Sequence, residues 1–282
     1  SSRHETFLGA SGTVTVSSSP SGREFHCQSE TTVGGYGLLR SKSVLRYRPG
    51  QGGRLRFTAR FGTPVALSAQ RAGAINVGTE LSFGYNGLDF GVLHRTGGRL
   101  EIQTLTISTP AGGAETLTLT LNGTGHTIAL TAGTAAHNAF EIVEDNSFSA
   151  THQAYQNGDT VVFVSKAVGN EAGAFTFSST GVAVGSFAET AAGQAVTDSF
   201  VNQTDWNVNT LTDADRDGFV LDTTKGNVFE IVFQYLGYGM ITYRVEDPST
   251  GRFIDVHRIQ YANANTNPNL ETPIFKVGWF AA

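Results

Sequence analysis

Three aspartates alternate in Asp213-Ala214-Asp215-Arg216-Asp217-Gly218, the order of oxygen ligands in the first half of a calcium-binding loop. A complete helix–loop–helix site needs a bidentate acid at the twelfth position. That position is Thr224, and the flanks have strand character. An acidic turn is therefore the favoured reading, with a β-loop calcium site on Asp213, Asp215 and Asp217 as the alternative. The seven histidines are scattered, and none has the His-x-x-x-His or His-Glu-x-x-His spacing of a zinc hydrolase. His26 adjoins Cys27, but neighbours on a strand point to opposite faces, which argues against a nucleophile–base pair. There is no Gly-x-Ser-x-Gly elbow and no Walker or Rossmann loop. The acid pairs Glu144-Asp145 and Glu246-Asp247 fall at expected element ends, where exposed carboxylates are the default; a two-acid glycosidase is the weaker reading. No catalytic, cofactor-binding or metal residue is assigned from spacing, no cofactor is implied, and the chain is not expected to be an enzyme.

Other residues suit contact rather than reaction. Arg54, Arg56 and Arg60 alternate with Leu55, Phe57, Ala59 and Phe61, with Arg46 and Arg48 upstream. The stripe reads as a solvated face that discourages edge pairing, or as an anion or subunit contact. Tyr36, Tyr85, Tyr238 and Tyr261 stand among Asn, Gly and Thr, the mixture that stacks on and hydrogen-bonds sugars; the alternative is that they finish the core or a subunit contact. Asn122 and Asn202 fit the glycosylation sequon, which matters only in a secretory pathway.

Composition sets the frame for these residues. Charged residues make up 15% of 282, against about 25% in a typical soluble domain, while Gly reaches 34. Outer faces built from hydroxyls and amides suit packing against other copies, or sugar binding. The net charge of −5 gives nucleic acid no general attraction. The single Cys27 forbids an intrachain disulfide. No apolar run approaches about 20 residues, so no membrane span is expected. The start at Ser1, with Met240 the only methionine, reads as a processed or trimmed end.

The elements that position these residues are strands. Residues 225–261 read as three: Val228–Tyr235, Met240–Val245 and Phe253–Ile259, the last two a hairpin around Asp247–Gly251. Residues 81–94 read as a hairpin with Asn86-Gly87 at the centre of a type I′ turn and Phe83 opposite Phe90. Thr13–Val16, closed by Ser-Pro-Ser-Gly at 19–22, is a first edge strand or an arm. Ile274–Phe280 is a last strand, with Trp279 in the core or at a subunit contact. From Thr109 to Gly193 the residues become smaller. Thr134 caps a helix whose Ala136, Ala139, Phe140 and Val143 share one face. The expected fold is mainly β: an antiparallel β-sandwich or jelly-roll-like body over 1–108 and 194–282, with a small α+β domain inserted at 109–193.

Three stretches carry a resemblance: RLRFTARFGTPVALSAQRAG…ELSFGYNGLDFGVLHRTGG, WNVNTL…LDTTKGNVFEIVFQYLGYGMITYRVEDPSTGRFIDVHRIQYANANTNPNL, and HTIALTAGTAAHNAFEIV…GDTVVFVSKAVGNEAGAFTFSSTG. Their wording resembles virion structural proteins of large DNA viruses and tailed phages, the middle module being similar to insertions in viral surface or tail-type proteins. The resemblance implies a capsid-associated, spike, fibre or tail component located in the virion. Its partners would be other copies of itself, as a homotrimer, and other virion proteins. A glycan- or receptor-binding β module is the alternative function, with host-surface glycan as partner.

Overall fold

The computed structural model describes the chain apart from residues 1, 2, 10, 18–23, 30, 32, 33, 49 and 77. It is mainly β, and every strand pairing among the described residues is antiparallel. Two compact units form: Ser1–Thr96 with Thr197–Ala282, and Gly97–Val196.

The first unit begins with β1 (His4–Leu8), β2 (Thr13–Ser17), β3 (Glu24–Gln28), β4 (Gly37–Ser41), β5 (Gly53–Ala59), β6 (Ala69–Ile75), β7 (Glu80–Asn86) and β8 (Asp89–Thr96). The inserted unit holds β9 (Leu100–Thr109), β10 (Glu115–Leu121), β11 (Thr124–Leu130), α1 (Ala135–Asp145), β12 (His152–Asn157), β13 (Thr160–Val168), β14 (Thr176–Ser179) and β15 (Val184–Ala191). The first unit resumes with β16 (Thr197–Asn202), the single turn α2 (Ala214–Asp217), β17 (Asn227–Phe233), β18 (Ile241–Glu246), β19 (Phe253–Ile259) and β20 (Lys276–Ala281).

In the first unit a seven-stranded sheet, β1-β4-β20-β6-β7-β8-β16, shares one core with a four-stranded sheet, β19-β18-β17-β5. Phe83 of β7 lies 4.7 Å from Phe229 of β17 and 5.4 Å from Tyr243 of β18, so the sheets form a sandwich. Alternation explains it: Leu55 and Phe57 of β5 are buried while Arg54 and Arg56 point outward. Each such side chain contributes about 1.5–3 kcal/mol on burial. The run Thr13–Val16 pairs with β3, and its expected closing turn lies outside the described residues.

The β7–β8 hairpin departs from the expected register by two residues. Asn86 pairs with Asp89, leaving Gly87-Leu88 as the loop, with a positive φ (62°) at Gly87. That is the glycine-first pattern of a type II′ turn. Phe90 therefore meets Tyr85 (5.2 Å), and Phe83 pairs with Val92. A two-residue slip keeps every side chain on its face, so the core is unchanged. Rings at Phe61, Tyr85 and Phe90 pack mutually, and burying this cluster fixes the register.

The inserted unit has a three-stranded sheet, β11-β10-β14, a four-stranded sheet, β12-β13-β9-β15, and α1 around a separate core. Its limits differ from 109 and 193 because β9 is the second unit's strand, paired with β13 and β15. Alternation marks a strand without saying which sheet it joins. Thr134 does cap α1, its side chain accepting from His137 N at 3.1 Å. The buried face, however, is Asn138, Ala139 and Ile142, and Phe140 is 49% exposed. Asn138 rotates the helix inward: its Oδ1 accepts from Ala111 N (2.8 Å), and its Nδ2 donates to Thr131 O (2.9 Å) and Glu141 (2.8 Å). Among the described residues no helix is long and apolar enough to cross a membrane.

Candidate functional surfaces and a polar cavity

The aspartate run forms α2. Asp213 accepts from the amides of Asp215 (3.0 Å) and Arg216 (3.4 Å) as an N-cap. Asp217 takes the Arg216 guanidinium at 2.6 and 2.7 Å and the amides of Thr212 and Asp213. The Arg216 hydrogen bonds hold the Asp217 carboxyl well below the usual carboxylate range. Donors of the chain itself thus occupy these oxygens, as in an acidic turn. Among the described residues no three His, Cys, Asp or Glu side chains are grouped to hold a metal ion.

The arginine stripe is part of an ion network on the outer face of β19-β18-β17-β5. Glu230 of β17, its side chain 1% exposed, receives Arg56 at 2.5 Å, Arg244 at 3.0 Å and Arg54 at 3.6 Å. Arg244 also binds Asp255 (2.6 Å), which binds Arg258 (2.5 Å). Burial pushes the Glu230 carboxyl up, but hydrogen bonds from Arg56 and Arg244 outweigh it, and its pKa lies below the usual range. Arg56 also lies 4.5 Å over the Phe253 ring. Arg60 pairs separately with Glu24 at 3.1 Å.

The four tyrosines differ in exposure. Tyr85 is buried and bonded to Thr223 (2.8 Å). Tyr36 and Tyr261 are half-buried against Phe280 and His94. Tyr238 is exposed, its hydroxyl donating to Thr266 O at 2.6 Å. Trp279 is half-buried and donates to Thr58 O (3.0 Å). Cys27 Sγ donates to Trp279 O (3.4 Å), and burial raises its thiol pKa. Glu144-Asp145 ends α1, and Asp247 closes its turn by accepting from Ser249 and Thr250. Asn122 is exposed at the β10–β11 turn, and Asn202 is half-buried at the end of β16.

The inserted unit presents different faces. On its four-stranded sheet the outward cross-strand rows are Gln153–Val164–Ile102–Ala191, Tyr155–Val162–Thr104–Ala188 and Asn157–Thr160–Thr106–Ser186. None of these twelve positions is charged. Tyr155 is 55% exposed, and Ile102, Val162 and Val164 remain partly open. On the three-stranded sheet Thr116, Thr118 and Thr120 of β10 lie beside Thr127 of β11 and Thr176 and Ser178 of β14, again uncharged. Yet this unit holds eight acids against Lys166 and Arg99, a net −6. Glu101 is buried, Glu141, Glu144 and Asp145 lie on α1, and Glu189 is exposed on β15. Glu115 takes Ser179 Oγ (2.6 Å) and the amides of Ala183, Val182 and Gly112, which pull its carboxyl down to about 2.

The buried polar groups meet at one end of that sheet. His152 of β12 and Ser165 of β13 are cross-strand partners, each 2% exposed. Glu171 lies between them: His152 Nε2 is 2.9 Å from one carboxylate oxygen, and Ser165 Oγ donates to the other at 3.0 Å. Thr151 Oγ1 lies 2.9 Å from His152 Nδ1. Glu101, 2% exposed, accepts from the Glu171 amide (2.5 Å) and Gln103 Nε2 (2.7 Å). A cavity of about 410 Å³ opens beside Thr151, His152, Ser165 and Glu171, with Lys166, Thr124 and Asn122 also on its wall. Neither His152 nor Glu171 was singled out by spacing. The one available sign was Thr151-His152 ahead of a polar run in a base-poor segment.

The fold and these surfaces define a mainly β sandwich protein with an inserted α+β unit whose two sheets carry uncharged outward rows. No protein-family model, no curated protein and no solved structure matches the chain.

Proposed function

We propose that this chain is a structural component of a virion, capsid-associated or part of a spike, fibre or tail, acting by self-assembly and surface contact rather than catalysis. The observation that carries the reading is the three outward rows of β12-β13-β9-β15, twelve positions without a charge that leave Tyr155, Val162, Val164 and Ile102 partly exposed, with Lys166 beyond them on β13. Charge depletion with an exposed aromatic is the pattern of an interface core. The resemblance of the quoted stretches to virion proteins supplies the setting. A homotrimer is the proposed assembly; its stoichiometry comes from the resemblance to viral spike-type proteins, and closure would leave no face open. Light scattering of the intact chain over a wide concentration range tests this. The mass is expected to rise to three copies; a monomer at every concentration would refute the reading.

A further inference from the structure

We infer that the cavity of the inserted unit is a binding site for an uncharged, polyhydroxylated ring, the terminal residue of a saccharide. Its volume of about 410 Å³ lies within the range of small-ligand pockets. The wall offers donors and acceptors together. Lys166 makes no ion pair among the described residues; its Nζ donates to Ser149 O, leaving further protons free. Asn122 has its Oδ1 engaged by Gly173 N (2.8 Å), which leaves its amide NH₂ as a donor. Glu171 has one lone pair per oxygen taken, by His152 and by Ser165, and keeps acceptor capacity. Thr124 adds an exposed hydroxyl, and Leu121, Ala150 and Ala167 supply apolar wall.

Charge selects the class. A carboxylated ligand could pair with Lys166 only by standing against Glu171 in a unit of net −6. A cationic ligand would meet Lys166 and compete with His152 for Glu171. A sugar hydroxyl does neither, because it donates to the carboxylate and accepts from the ammonium at once. The buried His152–Glu171–Ser165 bonds hold the acceptor in place before binding, which reduces the ordering a ligand must impose. This inference does not rest on the assembly reading and stands whether or not copies associate.

The test is saturation-transfer NMR on the intact chain with glucose, galactose, N-acetylglucosamine and, as the acidic control, glucuronic acid. At least one neutral sugar is expected to receive saturation in the millimolar range, and glucuronic acid less. Lys166→Met and Thr124→Val alter exposed side chains and leave the core intact. Lys166→Met is expected to weaken binding about tenfold, the worth of one hydrogen bond to a charged group. No transfer to any neutral sugar, a preference for glucuronic acid, or binding unchanged in both variants would each overturn the inference.

Discussion

Both four-stranded sheets turn an apolar face to a core, Leu105, Ile107, Val161 and Phe163 in the inserted unit, but they place their charges on opposite sides. In β19-β18-β17-β5 the inner face is apolar, with Leu55, Phe57, Phe229, Ile231, Phe233, Val245 and Val256 buried, while four arginines and two acids lace the outer face. In β12-β13-β9-β15 the outer rows are uncharged, and Glu101, Gln103, His152 and Ser165 lie on the inner side, buried. A protein keeps charge outside where water must cover it. Where charge moves inward and the exterior turns neutral, water is a poor final neighbour, and another protein surface is a better one. Exposed arginines on the first sheet also guard an edge, β5, against chance pairing.

Substitutions can break or sharpen this contrast. The largest effect is expected inside the second unit. Asn138→Ala would strand Ala111 N and Thr131 O without partners, and urea unfolding should show a loss of about 2–4 kcal/mol. On the first sheet, Glu230→Gln would leave three arginines facing one neutral group. The expected loss is about 1–3 kcal/mol, below that of a fully buried pair because Arg54 and Arg56 are 60% and 53% exposed.

The same residue predicts a pH dependence. The Glu230 and Asp255 carboxyls lie below their usual values, so they stabilise the fold above the unfolded carboxylate range. That stability should fade as pH drops from about 5 toward and through their folded values, since unfolded carboxyls titrate near 4. Melting curves from pH 7 to 3 should be flatter for Glu230→Gln than for the wild type. An equally steep acid loss in the variant would show that the network is not the acid-labile element. Glu115→Gln should lower the melting temperature modestly, because the amide cannot satisfy all four donors, three from the β14–β15 turn and Gly112 N from the β9–β10 connection. The smallest change is expected at Arg60→Ala: its pair with Glu24 is exposed on both sides, and the shift should stay within about 0.5 kcal/mol.

Much of the first sheet could be read in the chain because its period-two pattern is strong. β5, β17, β18 and β19 fall where Leu55-x-Phe57 and Phe229-x-Ile231-x-Phe233 place them. The second unit hides its logic. Asn138 is polar yet buried, so the apolar stripe of α1 points one residue away from the true packing face. β12, His-Gln-Ala-Tyr-Gln-Asn, carries no apolar alternation; its strand state comes from pairing with β13. β9 alternates well, but its partners β13 and β15 lie more than fifty residues downstream. The polar cluster at the cavity combines Glu101, Thr151, His152, Ser165 and Glu171, a set that no fixed spacing announces. The Asn-Gly pairs make the same point. Asn122-Gly123 takes positive φ at both residues (48° and 79°), as a type I′ loop requires, while at Asn86-Gly87 packing of Tyr85 on Phe90 moves the loop by one.

One measurement addresses the assembly account most directly: the mass of the intact chain by sedimentation equilibrium, compared for the wild type, Val162→Lys and Arg54→Glu. A lysine in the neutral face would place an unpaired charge in the contact. The account predicts an assembled wild type, a monomeric Val162→Lys, and an Arg54→Glu that assembles like the wild type. An assembled Val162→Lys, or loss of assembly in Arg54→Glu alone, would contradict it.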